Sequence, residues 1–424
     1  MKVVHVSYSV GRSSANTRLH FALLDKGIES KILTLEKNCE LEEVYQVKNN
    51  KLLWVIERKW RWLFQIIFDK VLIKNGMPYH MGIWGKHVEK DPLIQAADVV
   101  HLHWVCDFVS SKTIEKLILM GKPVIWTCHD YWPMTGGCNC NCNCRKFQEE
   151  CSDCILMKHK YGNSIIRYVW GNKKKYLKNC GIRLIAPSNW MAGNVSKSKL
   201  FEKNKCYVLP NAIDLINYCE MDRKDCEAIL NYYKDSSKIH ILFGATSINI
   251  PYKGFRYLIE MLNLMQRYYK ETASKIVLHI LGEGISYDEV LNKYECQFWG
   301  YISDERKKAC IYNLADYLIY PSLEDNLPNM VMESLACATP VISFKTGGIP
   351  DMVEHQRNGY IAEYKDSMDL LKGLIWCIGH NEENNLGRRG REKICGMCSA
   401  DHIAEGHIKI YKECIEEMRK QLCK

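Results

Sequence analysis

The sequence predicts two doubly wound α/β domains in tandem. Its 424 residues are too many for one ordinary domain and suit two domains of about 200 residues each. Short apolar, β-branched runs alternate with turns and helical stretches, as they do in βαβ units with parallel strands. This alternation restarts near Val208–Asp214, where Pro210 and Asn211 suit a linker. We therefore predict an N-terminal domain over residues 1–207, a C-terminal domain over 208–395 and a last helical segment over 396–424.

The apolar runs give the predicted strands in order. The first half contributes Val3–Ser9, Lys31–Leu35, Val99–Val105, Pro123–Cys128 and Arg183–Pro187. The second half contributes His240–Ala245, Ile276–Gly282, Cys296–Tyr301, Tyr317–Pro321, Pro340–Phe344 and Gly359–Ala362. Ligands of such folds bind at the carboxyl ends of the strands, so the loops that follow these runs are the candidate sites.

The composition is that of an ordinary globular protein. An apolar share of 47% and a charged share of 25% exclude collagen-like, disordered and disulfide-scaffold classes. The sequence has no run of about 18 uncharged apolar residues, and its start lacks the long apolar region of a signal peptide. We therefore expect a cytoplasmic protein whose 21 cysteines are mainly reduced thiols.

The net charge of +9 is unevenly distributed. Residues 1–205 hold 32 Lys and Arg against 18 Asp and Glu, whereas the remainder holds 26 against 31. A basic half suits an anionic membrane or a phosphorylated substrate. Scattered basic residues without a recognised module argue against nucleic acid. The stretch Lys51–Lys74 mixes aromatic and basic residues, so it is either a buried helix or an interfacial helix on the inner face of the cytoplasmic membrane.

The segment Tyr320–Val353 carries the clearest functional signal. A buried strand is followed by a loop with Glu324 and Asp325, and a helix that begins near Asn329 carries Glu333. The start of a helix offers free N–H groups to a diphosphate. A carboxylate such as Glu333 can accept hydrogen bonds from the two neighbouring hydroxyls of a ribose. The alternative is an ordinary carboxylate that stabilises a helix start.

This segment resembles the C-terminal signature of retaining glycosyltransferase family 4 enzymes, which have the GT-B fold. In that signature a carboxylate, seven residues and a Glu precede a Pro-Val-Ile strand and Gly-Gly-Ile-Pro; here these are Asp325, Glu333, residues 340–342 and residues 347–350. Further similar stretches, at residues 98–104, 127–130, 252–255, 281–284 and 300–303, extend the resemblance over essentially the whole chain. It implies two Rossmann-like domains facing a central cleft, with the acceptor on the N-terminal side and the last helix packing back across the domains.

The resemblance also implies roles for individual residues. Glu333 would bind the ribose of a sugar nucleotide, Lys253 would hold the diphosphate and Asp325 would face the donor sugar. His129 would reach the donor sugar near the reacting centre, so His129, Asp325 and Glu333 are the predicted catalytic residues. The other predicted donor-binding residues are Gly11, Gly300, Tyr301, Leu327 and Asn329. The leaving phosphate would take the acceptor's proton, so no catalytic metal is expected.

The sequence departs from the family pattern in three places. The Arg that often stands five residues before the Lys is absent, and Arg256 follows Lys253 in a helical position instead. Asp325 stands where the family usually has Glu, with Glu324 beside it as an alternative. The usual Gly-Gly of the first loop is reduced to Gly11, although one glycine still lets a ligand approach the backbone.

A cysteine-rich loop follows the His-Asp motif. Cys138, Cys144, Cys151 and Cys154 have the spacing C-x5-C-x6-C-x2-C. Four thiolates in so short a loop suit a closed tetrahedral zinc site of structural type. Free thiols without metal are the alternative, and two further cysteines in the loop leave the register open. A subset of family 4 enzymes looks similar in this loop.

We therefore predict a glycosyltransferase of the retaining hexosyl type. It would move a sugar from a UDP- or GDP-type nucleotide sugar to a glycan or lipid-linked acceptor in the synthesis of a bacterial surface polysaccharide. One alternative is a sugar-nucleotide epimerase on the same fold. Another is a degenerate, non-catalytic homologue that binds glycan or acts as a scaffold.

Overall fold

The computed structural model describes residues 1–11, 13–47, 59–60, 62–63, 65–66, 70, 72–74, 79–140, 143–160, 162–178, 180–284 and 289–422. Contacts divide the chain into two compact units. Unit 1 comprises residues 1–210 and 403–424, and unit 2 comprises residues 211–402. Within the described ranges, none of the helices is long and apolar enough to cross a membrane.

Unit 1 is built on a parallel sheet with the strand order β3-β2-β1-β4-β5-β6-β7. Its strands are β1 Lys2–Val10, β2 Glu29–Lys37, β3 Val44–Gln46, β4 Val99–Leu102, β5 Val124–Thr127, β6 Arg183–Ala186 and β7 Cys206–Val208. The chain winds outward from β1 to β3 and then from β4 to β7, so the strand order reverses between β1 and β4. Ligands of doubly wound sheets bind beyond the carboxyl ends of the strands at such a reversal.

The helices of unit 1 cover a sheet whose central strands are almost fully buried. Those whose bounds lie within the described residues are α1 Ala15–Asp25, α2 Pro92–Ala96, α3 Ser111–Leu119, α4 Gly162–Leu177 and α5 Asn189–Lys197. Three helices begin at a side chain that accepts a backbone N–H, which satisfies a donor left open by the first turn: Asp91, Ser110 and Ser188. The last helix of the chain, α14 Ala400–Leu422, belongs to unit 1 from residue 403 onward.

Unit 2 repeats this architecture. Its parallel sheet has the order β10-β9-β8-β11-β12-β13. The strands are β8 Ile239–Ser247, β9 Ile276–Glu283, β10 Glu295–Gly300, β11 Tyr317–Tyr320, β12 Val341–Phe344 and β13 Gly359–Ala362. Alternate residues of β11 enter different cores, since Ile319 packs on one face of the sheet and Leu318 on the other. The strand order reverses between β8 and β11, which places the candidate ligand site at their carboxyl ends.

The helices of unit 2 pack on both faces of its sheet. They are α6 Arg223–Leu230, α7 Phe255–Tyr268, α8 Lys270–Ala273, α9 Glu305–Leu314, α10 Asn329–Ala336, α11 Ile349–Met352, α12 Ser367–Asn384 and α13 Leu386–Cys398. Asp222, Asp304 and Asp366 cap three of these helices through their side chains. Asn231 and Asn385, in the left-handed conformation, end α6 and α12.

The predicted fold class, two doubly wound domains of the GT-B type, is confirmed. Each predicted strand is present, and most of their ends agree within two residues. The run Val99–Val105 stops at Leu102, because the chain turns there to bring Trp104 and Asp107 to the sheet edge. Two edge strands, β3 and β7, were not predicted; each has three residues, too few for an alternating pattern to appear.

Candidate active site

Three side chains meet at the point in unit 2 where β8 and β11 diverge. Lys253 Nζ lies 2.6 Å from Asp325 Oδ2, and the hydroxyl of Tyr320 donates to the same oxygen at 2.7 Å. The hydroxyl of Tyr320 also lies 3.4 Å from Lys253 Nζ. Tyr320 is the last residue of β11, and the loop that follows β8 supplies Lys253. The structure therefore brings together Lys253 and Asp325, which the sequence analysis assigned to the donor site.

The loop that carries Lys253 is locked against the loop that carries Asp325. Lys253 ends a single 3-10 turn, and Gly254 follows in the left-handed region at φ 79°. A Cβ atom on Gly254 would lie 1.8 Å from the carbonyl oxygen of Pro321, so only glycine fits there. The backbone N–H of Leu323 donates to the carbonyl of Tyr252 at 2.7 Å.

The opposite side of the Asp325 loop is fixed by Gly347. A Cβ atom on Gly347, whose φ is 55°, would lie 1.7 Å from the carbonyl oxygen of Asp325. That oxygen accepts the backbone N–H of Gly348 at 3.1 Å, and Thr346 Oγ1 donates to the carbonyl of Leu323 at 2.9 Å. The Gly-Gly pair thus holds Asp325 in place. This role is separate from allowing a ligand to come close to the backbone.

The charges of this cluster stabilise one another. Burial alone would lower the pKa of Lys253, but the Asp325 carboxylate and the Tyr320 hydroxyl raise it above its ordinary value. Burial and then Asp325 raise the pKa of Tyr320, so this phenol stays protonated at neutral pH. Lys253 is therefore protonated and fixed in place at the carboxyl edge of the sheet. Its positive charge there suits a phosphate group.

Glu333 lies in the second turn of α10 and is 4% exposed. Tyr312, on α9, donates its hydroxyl to Glu333 Oε2 at 3.0 Å. Burial, and then the neighbouring Glu333, raise the pKa of Tyr312 well above its ordinary value, which keeps the phenol a hydrogen-bond donor. A carboxylate can accept several hydrogen bonds, so Glu333 can accept from a ligand hydroxyl as well as from Tyr312.

The remaining predicted donor-site residues take different positions. Gly300 ends β10 at φ 66° with open space where a Cβ would stand, and Tyr301 after it is 63% exposed. Leu327 is buried, whereas Asn329 is exposed at the start of α10. Arg256 is exposed on α7 and lies over the ring of Tyr257, 4.4 Å from its centroid, so it does not join the Lys253 cluster. In unit 1, Gly11 follows β1 and would also meet no atom if it carried a Cβ.

In unit 1, His129 is the outer member of a chain of three imidazoles. His103 Nδ1 lies 3.1 Å from His129 Nε2, and His103 Nε2 lies 2.9 Å from His5 Nδ1. Burial lowers the pKa of His129 to about 4, and burial followed by the neighbouring histidines lowers the pKa values of His5 and His103 well below the ordinary value. All three rings are therefore neutral at neutral pH.

Neutrality restricts the tautomers of this chain. Each neutral ring has one N–H, so the hydrogen bonds must all run in the same direction. His5 Nε2 has no partner among the described residues. An unpaired buried acceptor is less costly than an unpaired buried donor, which favours a proton on His5 Nδ1. His129 Nε2 then accepts from His103, and the proton of His129 resides on Nδ1.

A fourth histidine, His101, adjoins this chain. Its Nδ1 lies 2.7 Å from the Tyr411 hydroxyl and its Nε2 lies 2.8 Å from Thr127 Oγ1. Among the residues that the structure describes, His5, His101 and His103 are the one group of three side chains with metal-binding atoms within 4.8 Å of one another. Their nitrogens are mostly engaged in the hydrogen bonds given above, so we interpret the group as a buried hydrogen-bond network.

The four predicted zinc ligands, Cys138, Cys144, Cys151 and Cys154, line one cavity together with Tyr79. Burial first, and then the neighbouring cysteines, raise the pKa of Cys138 well above its ordinary value, and burial raises the pKa of Cys151 to about 12. In the absence of a metal these thiols are therefore protonated, and what the four residues share is a cavity that could hold a metal ion. Their sulfur atoms are not drawn into a close-packed group in this structure, in contrast to the histidines.

Sequence reasoning missed the partners of the predicted residues. Tyr320 contacts Asp325, and Tyr312 contacts Glu333, because separate elements pack together. No local sequence motif predicts either contact. His5 joins the predicted His129 only through the pairing of β1 with β4, in which His5 lies opposite His101. The sequence signal for it was a histidine inside an apolar strand, which a single sequence cannot distinguish from a core residue.

Two family models match the chain. The model described as Glycosyltransferase Family 4 matches residues 16–216, and the model described as Glycosyl transferases group 1 matches residues 238–380. The putative colanic acid biosynthesis glycosyl transferase WcaC of Escherichia coli K12 is 24% identical over 282 residues. This match covers 64% of the present chain and 64% of that protein, slightly less than two thirds of its length.

Solved structures share the fold at low sequence identity. Sucrose-phosphate synthase from Thermosynechococcus elongatus is 14% identical with a TM-score of 0.62, and the match covers 98% of this chain and 100% of that one. Anabaena Alr3699/HepE in complex with UDP and glucose is 13% identical with a TM-score of 0.61, covering 97% and 99%. These findings show the GT-B fold, and the two family models support a glycosyltransferase with a family 4 N-terminal part and a group 1 C-terminal part.

Proposed function

We propose that this protein is a retaining glycosyltransferase that uses a UDP- or GDP-type sugar donor and a glycan or lipid-linked acceptor in the synthesis of a bacterial surface polysaccharide. The observation that carries the proposal is the cluster of Lys253, Asp325 and Tyr320 at the strand-order reversal of unit 2, with the buried carboxylate of Glu333 on the following helix. The relative WcaC supports the polysaccharide context, and the Anabaena protein Alr3699/HepE, solved in complex with UDP and glucose, supports the donor class.

The roles of the residues follow from their chemistry. Lys253 supplies a positive charge for the diphosphate, and Glu333 accepts hydrogen bonds from ribose hydroxyls. Asp325 faces the donor sugar, and its loop is fixed on both sides by glycines that tolerate no side chain. His129, with its proton on Nδ1, donates to an oxygen of the sugar near the reacting centre. Stabilisation of a leaving diphosphate by fixed charges lowers the barrier without a covalent step on the protein.

The direct test is a thermal-shift screen of the purified protein against UDP, GDP, ADP, CMP and dTDP. A ligand at about 100 times its Kd should stabilise the native state by about 2.7 kcal/mol, which is readily measured. We expect one diphosphate to raise the Tm, and Glu333→Gln to abolish that shift. Because glutamine still accepts from Tyr312, this variant should fold as well as the native protein. Glu363→Gln, at an exposed carboxylate of the same unit, is the control and should retain the shift.

The outcomes separate the proposal from its alternatives. If no diphosphate shifts the Tm, the protein is better explained as a non-catalytic homologue, for which the absent arginine is the supporting observation. If a diphosphate binds, incubation with the corresponding sugar nucleotide and product analysis distinguish transfer from epimerisation. Retention is read from the anomeric configuration of the product.

A peripheral contact with anionic membrane is also part of this proposal. Most of the stretch Lys51–Lys74 lies outside the described residues, but Trp60 is 68% exposed and Trp62 is 65% exposed. Exposed tryptophans beside basic residues suit the interface of an anionic bilayer. Vesicles that contain phosphatidylserine should therefore sediment the protein, and the double change Trp60→Ser and Trp62→Ser should reduce this. Equal sedimentation with neutral phosphatidylcholine vesicles would contradict the proposal.

A further inference from the structure

A second pair of polar side chains lies at the carboxyl edge of the sheet of unit 1. His80 Nδ1 lies 2.7 Å from Asp107 Oδ2, and both side chains are about one quarter exposed, at 24% and 25%. Asp107 follows β4 in the left-handed region, with φ at 55°. Asp tolerates this conformation better than most residues, but it still has a cost, and here it directs the carboxylate back toward His80.

The imidazole of His80 is not needed to hold its own segment in place. The backbone N–H of His80 donates to the carbonyl of Gly137 at 2.8 Å, and its carbonyl accepts from Trp132 Nε1 at 2.7 Å. Gly82 adds a third bond, since its N–H donates to Asp107 Oδ1 at 3.0 Å. These bonds anchor the segment to the sheet edge without using the imidazole of His80, so the imidazole is available to bind a ligand.

The pairing fixes what His80 presents to solvent. A carboxylate can only accept, so His80 Nδ1 carries the proton and donates it to Asp107. When the ring is neutral, its lone pair is on Nε2, which has no hydrogen-bond partner among the described residues. Nε2 is therefore positioned as an acceptor for a hydroxyl hydrogen.

An aromatic ring stands beside this acceptor. Trp104, two residues beyond the end of β4, lies 5.2 Å from His80 between ring centroids, at an interplanar angle of 88°. Its indole N–H donates to Asp130 Oδ2 at 3.0 Å, which fixes the orientation of the ring, and the Tyr8 ring meets it edge-on, 5.5 Å away between centroids at an angle of 78°. Asp130 is itself engaged, because it also accepts from Asn139 Nδ2 at 2.6 Å and from the backbone N–H of Trp132 at 2.9 Å.

We propose that His80, Asp107 and Trp104 form a binding subsite for a sugar ring of the acceptor, in which His80 Nε2 accepts a hydrogen bond from a sugar hydroxyl and Trp104 packs against the C–H groups of the ring. The combination of an oriented polar acceptor with an aromatic surface is that of a small-molecule site. The ligand class, a pyranose with adjacent hydroxyls, rests on the proposed function. The subsite lies within unit 1 and involves none of the donor-site residues of unit 2.

The experiment uses the full chain with methyl glycosides as probes. Saturation-transfer difference NMR is recorded with methyl α-glucoside, methyl β-galactoside, methyl α-mannoside and methyl β-N-acetylglucosaminide at millimolar concentration. We expect at least one glycoside to bind, and His80→Ala to weaken its affinity about fivefold, as the loss of one neutral hydrogen bond predicts. His87→Ala is the matched control, because His87 pairs with a carboxylate, Glu89, at 3.1 Å but is 65% exposed elsewhere on the unit.

A second variant separates binding from folding. His80→Phe keeps a ring of similar shape against Trp104 but lacks Nε2, so it should fold and still lose affinity for the glycoside. The inference is overturned if His80→Phe binds as well as His87→Ala, or if no glycoside of the panel binds the native protein. A diphosphate-induced shift in Tm that persists in these variants would leave the donor site and the proposed function standing. Its absence from the native protein would be a failure of the proposed function instead.

Discussion

Lys253 Nζ lies 2.6 Å from Asp325 Oδ2, although the two residues are 72 positions apart in the sequence. The contact joins the loop after β8 to the loop after β11, at the place where the strand order of unit 2 reverses. Both side chains are 19% exposed, so solvent screens the pair only partly. The pair therefore both fixes the two loops and places a positive and a negative charge at the predicted donor site.

Asp325→Asn should separate these roles. The change removes the counter-charge of a half-buried cation and should cost about 1–3 kcal/mol of folding stability. It should leave binding of the diphosphate to Lys253 intact but slow sugar transfer, by about 100-fold if the donor sugar is misplaced. The measurements are the Tm, the diphosphate shift and the rate of diphosphate release from the matching sugar nucleotide.

Glu324→Gln is the matched control for this prediction, because Glu324 is the neighbouring carboxylate on the same loop. It should leave the transfer rate nearly unchanged. A larger loss of transfer in Glu324→Gln than in Asp325→Asn would reassign the sugar-facing role to Glu324.

Gly347→Ala should displace the Asp325 loop. The added Cβ would lie 1.7 Å from the carbonyl oxygen of Asp325, and the residue is also held at φ 55°. Gly300→Ala is a suitable control, since it has a similar φ of 66° but open space at the Cβ. In both variants the left-handed conformation of an alanine should lower the free energy of unfolding by about 1–2 kcal/mol. The additional loss of Tm in Gly347→Ala therefore measures the clash. Equal Tm values would show that the loop accommodates the methyl group.

The sequence predicted the repeating pattern but not the contacts that complete the site. The βαβ alternation and the spacing of Asp325 and Glu333 are local properties, and a single sequence displays them. The hydroxyls of Tyr312 and Tyr320 reach these carboxylates because helices and strands from different parts of unit 2 pack together. The same holds for His80 and Asp107, which are brought together by a turn after β4 that no residue pattern marks.

The cysteine loop provides a third prediction, namely that protein purified without a histidine tag carries about one zinc ion per chain. Lys173, fully buried on α4, donates to the carbonyl of Thr135 at 2.9 Å and so fixes the start of the loop. The four thiols, drawn together by a metal, would close the loop at its other end. Cys151→Ser should abolish the zinc and lower the Tm, whereas Cys180→Ser, at a half-buried cysteine outside the loop, should not. Native protein without stoichiometric zinc would indicate that the thiols are free.

The buried histidines of unit 1 predict that stability falls as the pH is lowered from 7 to 5. The unfolded chain takes up protons near the ordinary histidine pKa of 6.5, whereas burial holds the pKa of folded His129 at about 4. Between these values the unfolded state binds more protons than the folded state, so each such histidine lowers stability by up to about 1.4 kcal/mol per pH unit. Below about pH 4 the contribution of His129 becomes constant.

His5→Phe tests this account, because phenylalanine keeps a ring in the fully buried position of His5 but cannot titrate. Between pH 6.5 and pH 5, the Tm of His5→Phe should fall less steeply with decreasing pH than the Tm of the native protein. The His5 variant also removes the hydrogen bond that His5 donates to His103. Without it, the tautomer of His103, and through it that of His129, is no longer fixed. If its transfer rate falls while the diphosphate shift in Tm is retained, the three-imidazole chain positions His129 for the reaction; an unchanged rate would make the chain purely structural.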